Sequence, residues 1–134
     1  MTESLGQACR DVLLASDPVA KVMAARYAAR QWRLGRLSHC FDVAMPSEPA
    51  RPALPVLLHA SQMPKRKRGG SDKASIAMLH ALAHIEFSAI DLAFDLAGRF
   101  GALFPREFAD DWMRVGADEA MHFALLDRRL KIFG

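Results

Sequence analysis

Apolar residues recur along this chain at the three-and-four spacing of amphipathic helices, and the breaks in that rhythm divide it into segments. From about Ser4 to Ala15, Leu5, Ala8, Cys9, Val12 and Leu13 mark a short helix. Ser16-Asp17-Pro18 ends it and begins the next. Asp17 can accept from a free amide of the first turn, and Pro18 lacks the N–H that would go unpaired there. This second helix is predicted to reach about Arg33 and to end near Gly35. Its apolar face reads as Val19, Val22, Met23, Tyr27 and Trp32. The opposite face, Lys21, Arg26, Arg30, Arg33 and Arg36, reads as solvated surface first and as a phosphate or RNA contact second. Residues 1–36 thus form an N-terminal helical segment.

Over residues 37–70 the rhythm fails. Pro46, Pro49, Pro52, Pro55 and Pro64 exclude a long helix. Ala53 to Leu58 suits a short extended piece with no partner strand. The loop is expected to wrap across the helices, anchored by Phe41, Val56, Leu57 and Leu58. It ends in Pro64-Lys65-Arg66-Lys67-Arg68-Gly69-Gly70, which describes an exposed basic tip first and an anion or nucleic-acid contact second. Residues 71–134 resume the helical period. Ser71 or Asp72 caps a helix to about Phe100, Gly101 and Pro105 make a turn, and a second helix runs from about Arg106 to Phe133. The expected fold is all-α, one domain overall, built on an antiparallel hairpin with two shorter helices and a Pro-rich loop before it.

Composition changes this picture little. The 134 residues are 51% hydrophobic and 25% charged, within the ordinary range for a globular protein. Charges interrupt the apolar runs short of ~18 residues, so no transmembrane helix is expected, and the N-terminus lacks the order of a signal peptide. Cys9 and Cys40 read as free thiols of a cytoplasmic protein. Residues 1–70 carry eleven Lys and Arg against five Asp and Glu, and residues 71–134 seven against ten. A basic front half and an acidic back half can attract each other within or between copies.

Candidate chemistry lies in the hairpin. Glu119 and His122 are three positions apart, on one side of a helix, in a stripe with Trp112, Val115, Phe123, Leu126 and Leu130. Glu86 falls in the stripe Leu79, Leu82, Ala83, Ile90, Ala93, Ala97 of the preceding helix. A carboxylate aimed at apolar surroundings is costly unless paired, and a metal cation is one such partner. Di-iron helical bundles take a Glu from each of two helices and Glu-x-x-His from each of two others. Glu86, Glu119 and His122 therefore fit half of a di-metal site for iron or manganese, two ions per complete site. The plainer reading is a buried ion pair or a partly exposed helix edge. His80 and His84, one turn apart, are a possible ligand pair in their own right; roughly half a circle from Glu86, they cannot share its metal without distortion and are expected either to support ligands from behind or to lie on the surface. Asp91 and Asp118 flank the stripes and are candidates for orienting the imidazole. No Gly-rich phosphate loop, CxxC pair or Ser/His/Asp nucleophile is found, and catalytic residues stay unassigned.

At these positions a resemblance enters. Ala83-His84-Ile85-Glu86-Phe87-Ser88-Ala89-Ile90-Asp91-Leu92-Ala93, then Asp111-Trp112 and Asp118-Glu119-Ala120-Met121-His122-Phe123, resemble an uncharacterised bacterial family of ferritin-like, di-iron carboxylate proteins. Met63-Pro64 with the basic loop is also similar to that family, so the likeness covers roughly residues 37–133. It implies a ferritin-like bundle with Glu86, Glu119 and His122 as ligands. Such proteins continue into a second hairpin with another Glu and another Glu-x-x-His, so this chain looks like the first half. Either it is a truncated product, or two copies pair and share the site across a two-fold axis. The first expectation is thus a homodimeric di-metal protein with oxidoreductase chemistry toward O₂ or peroxide. The second is a non-catalytic helical module that contacts RNA or an acidic partner.

Overall fold

A computed structural model describes residues 3–52 and 72–133. The elements in order are β1 (Glu3–Ser4), α1 (Leu5–Leu14), α2 (Pro18–Arg33), β2 (Leu37–Ser38), α3 (Asp72–Phe100), a 3-10 turn (Gly101–Leu103) and α4 (Arg106–Phe133). The fold is mostly helical. The Ser4 side chain accepts from the Gln7 amide at 3.1 Å to begin α1, and Asp17 accepts from the Ala20 amide at 2.9 Å to begin α2. Gly35, with φ 73°, closes α2. The Gly35 and Arg36 amides donate back to the Trp32 and Gln31 carbonyls, so the last turn has few orphan acceptors.

α3 and α4 pack antiparallel, and α1 and α2 lie over one side of that hairpin, α1 on α3 and α2 on α4. One core joins them. It contains Leu5, Cys9, Val12 and Leu13 of α1, the alanines and Trp32 of α2, Phe87, Ile90 and Phe94 of α3, and Met113, Ala120 and Phe123 of α4. Phe41 and Met45 anchor the segment after β2 by reaching the far end of α3. The proposed anchors Val56, Leu57 and Leu58, the extended stretch Ala53–Leu58, the Lys65–Arg68 run and Ser71 lie outside the described residues.

Several expectations need correction. β1 and β2 form a two-residue parallel pair, Glu3 beside Leu37 and Ser4 beside Ser38, where the hydrophobic pattern predicts only helix and loop. On α2 the packed face is Lys21, Ala25, Ala28, Ala29 and Trp32, while Val19, Met23 and Tyr27 are exposed. Small side chains let the helices approach closely, so the alanine row, not the large apolar row, faces inward. Lys21 is fully buried rather than solvated. Its ammonium donates to the Val12 and Leu13 carbonyls at the end of α1, at 2.9 and 3.4 Å, and to Asp91 Oδ1 at 2.6 Å. Arg51 approaches the other Asp91 oxygen at 3.4 Å. Asp91 therefore ties three helices together and does not orient the imidazole. Finally, α3 is long and apolar enough to cross a bilayer by length and composition, yet only 28% of its most apolar stretch is buried in this chain. Its second face is open.

Two consequences can be measured. Cys9 is buried and Cys40 half-buried, both free. Burial pushes the Cys9 thiol up to about 12, with a smaller push from Asp95. In native protein a disulfide reagent at pH 8 should titrate Cys40 and spare Cys9, while in denaturant both should react. Because the folded value is raised, this contribution to stability is complete below about 9, the unfolded value, and is lost as pH rises toward 12. The slope is about 1.4 kcal/mol per pH unit, readable from urea midpoints. Gly116 sits where α4 crosses α3: a methyl there would lie 2.5 Å from Phe94 Cε2 and 2.8 Å from its Cζ. Alanine's better helix propensity is worth only about 1 kcal/mol, so Gly116→Ala should destabilise by roughly 1–3 kcal/mol through displacement of the buried Phe94 ring.

Candidate metal centre

Each long helix has two adjoining stripes of apolar positions. On α4 the stripe Ala109, Met113, Gly116, Ala120, Phe123 packs into the core. The neighbouring stripe, Trp112, Val115, Glu119, His122, Leu126, Leu130, lies one residue round and is half-buried to exposed. On α3 the core takes Phe87, Ile90, Asp91 and Phe94, and Glu86 stands beside it. Glu86 keeps register with the buried Ala93 and Ala97, so its stripe is core as the sequence suggested; Glu86 and Glu119 are half-buried at the edge of that core and His122 is exposed.

There the antiparallel packing brings them together. His122 Nδ1 lies 3.7 Å from Glu86 Oε2 and 3.8 Å from Glu119 Oε2. One donor atom from each of the three falls within 4.8 Å of the others. Both carboxylates are 22% exposed and the imidazole 47%. Donors held by a single ion at ~2.1 Å stand about 3–3.4 Å apart, so small side-chain rotations would seat a cation among them. Glu86 Oε2 is buried without a hydrogen-bond partner. A buried carboxylate oxygen left unmatched is costly and asks for a cation or a donor. Two hard carboxylates and one imidazole suit iron or manganese. The residues present fit such a group.

Phe87 and Phe123, next in sequence to Glu86 and His122, meet edge to face at 4.9 Å behind the cluster. Beyond them is a separate cavity of about 400 Å³ lined in part by His80, His84 and Asp127. The two histidines thus lie on the other side of α3 from Glu86, as the helical angle required. Asp118 is exposed and lines a different cleft. On the same side of the hairpin α3 exposes Leu82, Ile85 and Leu92, and α4 exposes Val115 and Leu125.

Among known proteins, residues 14–134 match the family described as "Protein of unknown function (DUF455)". A relative from Haemophilus influenzae, named only as an uncharacterized protein, is 41% identical over 91 residues. The match takes in 63% of this chain and 31% of that relative, so the chain spans less than a third of the relative's length. No solved structure matches.

Proposed function

The chain belongs to the DUF455 family, and within it we propose a ferritin-like di-metal protein whose site is completed by a second helical hairpin, here a second copy of the chain. What carries the reading is the meeting of Glu86, Glu119 and His122 on an open apolar flank, with one buried carboxylate oxygen unpartnered. Three donors are too few for two ions. A two-fold axis beside the cluster would supply two Glu and two Glu-x-x-His, the complement used by di-iron bundles. It would also bury the exposed leucines, Ile85 and Val115.

In this reading Glu86, Glu119 and His122 of both copies hold a pair of iron or manganese ions. When bound, such a pair supplies redox chemistry toward O₂ or peroxide. The chain's own part is to fix the carboxylates on rigid helices and to keep water away with the apolar flank. The Phe87–Phe123 pair closes the inner side. The reaction class is that of a non-haem oxidoreductase, with small-molecule substrate and catalytic residues unassigned.

The test is oxygen uptake. Protein loaded anaerobically with ferrous iron and then exposed to air should consume O₂ in proportion to the iron bound, and Glu119→Gln should consume it no faster than free ferrous iron. Equal uptake by both proteins would remove the site from the chemistry.

A further inference from the structure

A second feature lies apart from the metal cluster. The end of α2 and the first half of α4 enclose a cleft of about 570 Å³. Three arginines line it: Arg33 from α2, and Arg106 and Arg114 from α4. Trp32 and Met113 form its floor, both nearly buried. Arg106 lies over the Trp32 ring at 4.7 Å, and the Trp32 Nε1 donates to Asp110 at 2.8 Å. Arg106 is therefore held in place rather than swinging free, which lowers the entropy lost on gripping a ligand.

The charges on this cleft are not settled internally. Asp110 and Asp118 line the same wall, yet none of the three guanidinium groups forms an ion pair among the described residues. From Pro18 to Phe41 the chain has no acidic residue, and besides Arg33 it exposes Arg26, Arg30 and Arg36, so the α2 side adds a positive field near the mouth. Planar guanidinium groups match the oxygens of a phosphate in pairs. The two aspartates oppose a long polyanion and suit hydroxyl hydrogens. We infer that this cleft binds a small hydroxyl-bearing phosphate monoester, of the size of a sugar phosphate, with the phosphate on Arg33, Arg106 and Arg114 and the hydroxyls toward Asp118.

The inference is independent of metal. It is tested by calorimetric titration of the full chain, in low salt, with ribose 5-phosphate and with inorganic phosphate as probes. Saturable one-to-one binding is expected, tighter for ribose 5-phosphate. Arg106→Ala and Arg114→Ala should each weaken it about tenfold or more, since each removes a charge-assisted pair of hydrogen bonds. Arg106→Lys, which keeps the charge but loses the planar fork, should also weaken it while retaining the wild-type melting profile. Arg26→Ala, exposed on α2 outside the cleft, should leave it within about twofold. Asp118→Ala should reduce the preference for the sugar phosphate. Absence of saturation by either probe up to about 10 mM, equal loss in Arg26→Ala and Arg106→Ala, or binding of short RNA that neither probe displaces, would each overturn it.

Discussion

His122→Ala is expected to cut the iron or manganese retained by the protein at least tenfold while leaving its unfolding midpoint almost unmoved. The side chain is 47% exposed and packs into no core, so its loss should change stability by no more than about 0.5 kcal/mol. Its loss from the cluster removes the only imidazole among three donors. Elemental analysis of protein purified without chelator reads the first effect and urea denaturation the second. Glu86→Leu sharpens the comparison. Glu86 Oε2 is a buried acceptor without a partner, so an apolar replacement should stabilise the metal-free protein by about 1 kcal/mol and abolish metal retention. A carboxylate that served only as a structural ion-pair partner of His122 would behave the other way, with stability falling.

The largest loss of stability is expected at Asp91. Asp91→Ala should destabilise by about 3–5 kcal/mol, because it strands the fully buried Lys21 ammonium. Removing both charges, as Lys21→Met with Asp91→Leu, should cost less than about 1 kcal/mol or stabilise, although Lys21 also satisfies two carbonyls at the end of α1. Burial pushes Asp91 above the usual carboxylate value and Lys21 below the usual ammonium value, each against the pull of its partner. For Asp91, a raised folded value means that its contribution is complete below the ordinary carboxylate range and is lost as pH rises. For Lys21, a lowered value means that its contribution is complete above the ordinary ammonium range and is lost as pH falls. Burial disfavours both charges, so the apolar double variant removes both desolvation costs. Urea unfolding of the two single variants and the double variant at pH 7 supplies the cycle.

The contrast between these two places shows what a sequence can disclose. Helix ends were legible because local chemistry makes them: Asp17-Pro18, Gly35, Gly101 and Pro105 act on neighbouring backbone. The trio Glu86, Glu119 and His122 was legible as a spacing, since antiparallel packing of two long helices brings matched turns together. Its direction was not. On α3 the expected Ile90, Ala93 and Ala97 are core, but on α4 two apolar stripes adjoin, and only the placement of α1 and α2 decides which of them is buried. Lys21 and Asp91, 70 residues apart, were illegible for the same reason. The signal was present but faint: Lys21 keeps register with Ala25, Ala28 and Trp32, and Asp91 with Phe87 and Phe94. A reading guided by side-chain size selected Val19, Met23 and Tyr27 instead, and these face outward.

Two copies of this open flank are proposed to close around a shared metal pair. This closure is tested most directly by sedimentation and elemental analysis on the same sample, purified without chelator. A dimer with about one iron or manganese per chain, losing its metal when separated into monomers, is the expected result. A metal-free protein, or a monomer that keeps its metal in full, would contradict it.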